Sequence, residues 1–199
     1  MYIRPVYSEP VGGADQSYNI TIEGSNVRMV DLGLSSLWAD GNIGANISYD
    51  NNNDIVTVDK GEYISWGETC AKESYHSSDY PYYEDNSITN YYYIKPEYDA
   101  AKQRWGSNFR MPNTEDIDDL LTKCEATWEE HVDSNGNRVA GMRFTSTNGN
   151  SIFLPAGGYT YHDHYDNLTY YKDNDYGYYW SNTKLQPEDK RASLCILFD

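Results

Sequence analysis

The chain has 199 residues, enough for one domain with or without a short tail. Its formal charge of −16 argues against nucleic acid and anionic membrane surfaces as partners. Only 39% of residues are apolar and 21 Tyr stand against 4 Phe, so the expected core uses rings with polar tips rather than aliphatic side chains. Trp, Tyr and Ile are too frequent and too patterned for a wholly disordered chain. No run is long and apolar enough to span a membrane. Met1 opens directly onto a strand-like run, without a signal-peptide pattern.

Tyr2 to Tyr7 is a short strand candidate, and Pro10-Val-Gly-Gly13 reads as a linker. Ser17 to Glu23 alternates through Tyr18, Ile20 and Ile22, which predicts a strand. Val27 to Leu32 and Leu37 to Ala39 are expected as further short strands. Asp50 to Asp54 is a polar loop tip, and Tyr63 to Trp66 is expected to be buried. Ser74 to Tyr98 is long, polar and Tyr-rich without a clear period, and such loops usually carry function or motion.

Asp99 to Trp105 predicts a short helix closed by Gly106. Pro112 then drives Met111 towards extended geometry, so a second helix starts after it. Asn113 or Thr114 can cap that helix, and Glu115 and Asp116 suit its positive end. Ile117, Leu120, Leu121 and Cys124 recur at helical spacing and form the expected buried face. Arg110, between the helices, is expected to bond buried backbone or a carboxylate.

Thr127 to Val132 and Val139 to Ser146 flank an Asn135-Gly136 hairpin signal. A second turn at Asn148 to Asn150 leads into Ser151 to Leu154, which completes a three-strand meander. Tyr159 to Tyr176 reads as a second polar, Tyr-rich loop. Tyr178 to Trp180 and Ala192 to Phe198 are the last strands. Cys124 and Cys195 are expected as buried thiols and Cys70 as exposed; one disulfide is permitted, but spacing does not choose its pair.

No Ser nucleophile elbow, phosphate loop or zinc signature is present. His162-Asp-His164 has a spacing that suits metal only weakly, and solvated loop histidines are the simpler expectation. Asp50-x-Asn52-x-Asp54 begins like a calcium loop, but Ile55 stands where Gly is required and no Glu occupies the twelfth place. Asp173-x-Asp175 is similarly incomplete. Carboxylates are plentiful, yet no pair stands out as a glycosidase couple. The expectation is a non-enzymatic chain without a cofactor, calcium being the less favoured alternative.

The sharper signal is the run from Tyr159 to Tyr179, almost entirely Tyr, Asp, Asn, His and Thr. Tyr offers rigid contact area at low entropic cost, and short polar side chains adapt their hydrogen bonds. The candidate ligand-binding residues are Tyr161, His162, His164, Tyr165, Asn167, Tyr170, Tyr171, Asp173, Asn174, Tyr176 and Asn182. Tyr80 to Tyr93 is a second candidate segment. Tyr161, Tyr165, Tyr170 and Tyr171 are expected to be exposed; Tyr176, Tyr178 and Trp180 are expected to pack. The competing expectation is that all these rings fill the loops of a helix-poor domain.

The stretch from Asp99 to Cys124, DAAKQRWGSNFRMPNTEDIDDLLTKC, resembles the core of the Fibrobacter succinogenes major paralogous domain, found in surface proteins of Bacteroidetes. VDLGLSSLWADGNIGA (Val30 to Ala45), YISWGET (Tyr63 to Thr69), TSTNGNSIFLPAGGY (Thr145 to Tyr159) and YGYYWSNT (Tyr176 to Thr183) resemble it in the same order. The resemblance spans roughly residues 28 to 198. It implies an α+β, C-type lectin-like fold in the branch of the formylglycine-generating enzymes, with short antiparallel strands, two short helices and many loops. Those enzymes need two reactive Cys near the end of the domain; here Cys195 stands alone between Leu194 and Ile196, with no neighbouring base. C-type lectins hold calcium through a Pro-centred triplet and a Trp-Asn-Asp-like triplet. Gln186-Pro-Glu188 and Trp180-Ser-Asn182 look similar but stand in reverse order.

Domains of this family typically finish with a strand of the type S-x-R-P-V. Here Ile3-Arg4-Pro5-Val6 occurs at the start instead. The expectation is therefore that residues 1–10 fill the slot of the last strand, within the chain or between neighbours, with tandem repeats cut out of phase as the alternative. Residues 11–23 form a linker and leading strand, and 24–199 the domain. The resemblance implies a place on the cell surface, and with the Tyr-rich run it gives the expectation of an adhesin-like domain that takes a glycan or protein ligand, with self-association by strand exchange permitted. The alternatives are a structural module of a fimbria-like assembly and a retroelement-diversified variable protein.

Overall fold

The computed structural model describes residues 1–7, 18–73, 75, 86–90, 92–162, 168–171, 173–184 and 193–198. Residues 1–7 thread through its interior. Tyr2, Ile3, Arg4 and Val6 are all buried. Val6–Tyr7 is strand β1. Tyr2 forms a parallel bridge with Tyr179, its N–H donating to the Tyr178 carbonyl while its own carbonyl accepts from Trp180. The carbonyls of Met1, Ile3 and Pro5 accept from Ile64, Ile43 and Ala39.

Tyr18–Ile22 (β2) and Ser25–Val30 (β3) form a hairpin, its turn made by Glu23 and Gly24, both at positive φ. Leu37–Ala39 is β4. Ile47–Tyr49 (β5) and Ile55–Val58 (β6) make a separate two-stranded ribbon. Thr89–Asn90 (β7) and Tyr93–Ile94 (β8) follow, then helix α1, Ala100–Trp105. Phe109–Arg110 is β9. The first sheet runs β2-β3-β4-β1-β9, antiparallel throughout, so the first segment lies inside it and not at its edge.

Thr114–Lys123 is helix α2. Asn113 caps it: its side chain accepts from Asp116 N–H, and the Asp116 carboxylate accepts from Asn113 N–H. Both orphan donors are thus met. Cys124–Val132 (β10), Arg138–Ser146 (β11) and Ser151–Pro155 (β12) form an antiparallel meander, as the turn signals predict. Tyr159–His162 (β13) and Leu168–Tyr171 (β14) pair as a hairpin. Gly177–Lys184 (β15) and Ser193–Phe198 (β16) join β8 and β7 in a four-stranded sheet. The whole is α+β, mostly antiparallel. Among the described residues no helix is long and apolar enough to cross a membrane.

The core has two main clusters. One joins Trp38, Leu120, Phe144, Leu154 and Tyr179; the other joins Met29, Ile43, Ala100, Ala101 and Met111. Tyr2 and Val6 belong to the first and Ile3 to the second, so residues 1–7 tie the two together. Arg4 is fully buried between them. Its Nε donates to Asn42 Oδ1 (2.8 Å), Nη1 to the Ala39 and Asp40 carbonyls, and Nη2 to the Phe153 carbonyl (2.7 Å). Saturation by acceptors is what makes a buried guanidinium tolerable.

Three expectations are corrected. The buried face of α2 holds Ile117 and Leu120, but Leu121 is 47% exposed and Cys124 already belongs to β10. Ile117 and Leu120 enter the core cluster that holds Phe144, Leu154 and Tyr179, while Leu121 turns to solvent. Second, Tyr159 to Tyr176 is not simply a loop, because its Tyr- and Thr-rich ends pair across β13 and β14. Third, the region of Tyr63 to Trp66 is only partly buried: Ile64 is enclosed, while Tyr63 and Trp66 are intermediate. Cys70 is exposed and Cys124 half-buried, both as free thiols. The Pro10 to Gly13 linker, most of Tyr80 to Tyr91 and the Gln186 to Glu188 triplet lie outside the described residues.

Candidate functional site

The β13–β14 hairpin separates two tyrosine surfaces. Its register sets Tyr159 opposite Tyr171 and Thr160 opposite Tyr170. Successive strand side chains alternate faces, so Tyr170 and Tyr171 point to opposite sides. Both are well exposed, at 55% and 43%.

On one side, Tyr170 begins a line of rings leading inward. Its centroid lies 5.5 Å from Tyr63, Tyr63 lies 4.5 Å from Tyr2, and Tyr2 lies 6.0 Å from Tyr179. The Tyr63 hydroxyl donates to the Gly157 carbonyl (2.6 Å) and the Tyr179 hydroxyl to the Pro155 carbonyl (2.8 Å). Burial pushes the phenols of Tyr2, Tyr63 and Tyr179 upward, so all three stay neutral. Outer Tyr170 therefore stands on a line of packed rings, of which Tyr63 and Tyr179 are tied to backbone carbonyls.

Beside Tyr170 lies a polar cleft of about 740 Å³. Its walls come from the segment after β6 (Asp59 to Glu62), the β10–β11 turn (Asp133 to Arg138) and the segment before β15 (Asp173, Asn174). The walls are tied together. Asp59 Oδ1 accepts from Ser134 N–H (3.0 Å), and Lys60 pairs with Asp173. Asn174 has φ 61°, and its side chain accepts from Ala140 N–H (3.0 Å) while its own N–H donates to Ala156. Asp133 accepts from the Asn137 side chain and from the N–H groups of Asn135 and Asn137, which holds its carboxyl below the ordinary range. Arg138 pairs with Glu130, and Glu62 with Arg104.

On the other side, Tyr171, Tyr159, Tyr178 and Tyr176 form a row. Successive centroids lie 5.1, 5.3 and 6.3 Å apart, with interplanar angles of 42°, 86° and 33°. The rings touch one another but share no plane. Tyr176 and Tyr178 are intermediate in exposure, between the packed state expected for them and a free surface.

Comparison of the chain with protein-family models, with curated proteins and with solved structures finds no match.

The candidate residues thus divide. Tyr170, Asp173 and Asn174 meet at the cleft, while Tyr171 and Tyr176 belong to the row. Asn182 lies further along β15, where its N–H donates to the Pro112 carbonyl; it joins neither group. Tyr161 and His162 lie on the backbone of β13, and His164, Tyr165 and Asn167 fall outside the described residues. Of the second segment, Tyr92 and Tyr93 are exposed. Sequence reasoning missed Lys60, Asp59 and the 133–138 turn as cleft walls. The Asn135-Gly136 signal marked the turn, but nothing local shows that it faces residues some 75 positions earlier. Among the described residues no group of three or more His, Cys, Asp or Glu is placed to hold a metal ion. In the Asp50 loop, the carboxylate accepts from the N–H groups of Asn52 and Asp54.

Proposed function

We propose that the chain is a non-enzymatic binding domain displayed on a cell surface, with a C-type lectin-like fold related to the Fibrobacter succinogenes major paralogous domains. It presents the tyrosine hairpin to an extracellular glycan or protein, adhesin-like, without a cofactor. The observation that carries this reading is the pair Tyr170 and Tyr171, both exposed on one short hairpin, with Tyr170 at the rim of a polar cleft and Tyr171 on the opposite face. Single exposed rings are ordinary, but exposed rings gathered on one element mark a surface suited to recognition. The cleft carboxylates support binding over catalysis, since Asp133, Asp173 and Glu62 are committed to a turn or an ion pair.

A second reading is a structural module of a larger surface assembly, or a scaffold for retroelement-diversified variants. The mutual contact of the Tyr171–Tyr159–Tyr178–Tyr176 row favours it, because rings that pack on each other serve stability. Exchange of residues 1–7 between copies would link such modules. A cell-surface and glycan array separates the readings. The chain is compared with a variant in which Tyr161, Tyr165, Tyr170 and Tyr171 are all Ala. The binding role expects signal on some surfaces and its loss in the variant. Signal that survives all four changes removes the hairpin from recognition, and silence on every surface leaves the module.

A further inference from the structure

We infer that the cleft beside Tyr170 is a subsite for an uncharged sugar ring of an oligosaccharide. This rests on the reading of the chain as a binding domain and assigns a ligand class to one face of the hairpin. Shape comes first. The cleft holds about 740 Å³, within the roughly 300–1,000 Å³ range of small-ligand sites. A protein partner would instead need on the order of 800 Å² of matched surface on this side, and a concave polar notch does not present that.

Lining chemistry narrows the class. Tyr170 supplies one broad apolar contact, and the opposing walls are amide, hydroxyl, carboxylate and the two cations Lys60 and Arg138. The side chains of Ser134 and Asn135 make no hydrogen bond among the described residues, so donors and acceptors remain for a ligand's hydroxyl groups. An apolar ligand would desolvate Lys60 and Asp173 without replacing their water, which is unfavourable. A sugar ring has both an apolar C–H face for the phenol and hydroxyls for the walls.

Charge excludes the acidic sugars. Four wall carboxylates, Asp59, Glu62, Asp133 and Asp173, face two cations, Lys60 and Arg138. Each cation already has an acidic partner, Asp173 and Glu130. Among the described residues no wall cation is left to neutralise a uronate or sulfate, and the net charge of −16 adds long-range repulsion. The cross-wall bond from Ser134 to Asp59 and the pinned Asn174 hold the cleft open before binding, which lowers the ordering cost. The row on the opposite face lacks a common plane, so it does not offer the same seat.

The test is calorimetric titration of the full chain with neutral cello-, malto-, xylo- and chito-oligosaccharides, and with oligogalacturonate and a heparin fragment as acidic probes. At least one neutral series is expected to bind and both acidic probes to fail. Tyr170→Ala should weaken that binding about tenfold, Tyr170→Phe should largely retain it, and Tyr171→Ala should stay within about twofold. Preference for an acidic probe, or neutral binding that survives Tyr170→Ala, overturns the cleft assignment. Neutral binding that falls with Tyr171→Ala alone moves the site to the other face and leaves the binding role intact. If no oligosaccharide binds, the sugar subsite is lost; the cell-surface array then decides separately whether the binding role survives.

Discussion

At the scale of single residues, Arg4 and Asp99 matter most because each is a buried charge held by backbone. Removing the Arg4 guanidinium strands the Ala39, Asp40 and Phe153 carbonyls and the Asn42 amide. Hydrogen bonds from charged donors contribute about 1.5–3 kcal/mol each, so Arg4→Ala should destabilise by at least about 3 kcal/mol, read from urea unfolding. A loss below about 1 kcal/mol would mean that the segment is not anchored there. Asp99 accepts from Met111 N–H (3.0 and 3.1 Å) and Lys102 N–H (3.2 Å). Burial nevertheless pushes its carboxyl up from the ordinary value, with those N–H groups pulling the other way. The folded state therefore binds this proton more tightly than the unfolded chain does. Its contribution is fully present below the unfolded pKa, about 3.9, and is lost as pH rises through the higher folded value. The stability difference between the wild type and Asp99→Asn should accordingly shrink as pH climbs from that point. A difference that stays level across the range would contradict the assignment.

At the scale of elements, α2 shows how a helix can be right and its face misjudged. Caps are local, and the capping box at Asn113 and Asp116 follows from residues three apart. Asn113→Ala should lower stability by about 1 kcal/mol, seen as a lower urea midpoint at constant slope. The contact line is not local. Leu120 is wholly buried and Leu121 is 47% exposed, although they are neighbours in a wide apolar stripe. Leu120→Ala should cost about 2–5 kcal/mol and Leu121→Ala less than about 0.5 kcal/mol. Equal losses at both would restore the broad face that spacing predicts.

At the scale of the whole molecule, the first seven residues behave as an inserted core strand. They lie between β4 and β9, touch β15 through Tyr2, and bridge both main clusters. A chain that begins at Ser8 should lose its sharp unfolding transition or self-associate, and a synthetic Met1–Tyr7 peptide should restore it. Circular dichroism melts and light scattering read the two outcomes. A truncated chain that stays monomeric and equally stable would show that the inserted strand is dispensable.

The meander, both helices, the hairpin turn at Asn135-Gly136 and the abundance of tyrosine were legible from residues alone. Each depends on neighbours a few positions away, through caps, turn preferences and alternation. The burial of Arg4, the split between Leu120 and Leu121, the packing of Tyr170 on Tyr63 and the meeting of Lys60 with Asp173 were decided only by the tertiary structure. These depend on contacts between segments far apart in the chain, and no local pattern records which distant surface a side chain will meet.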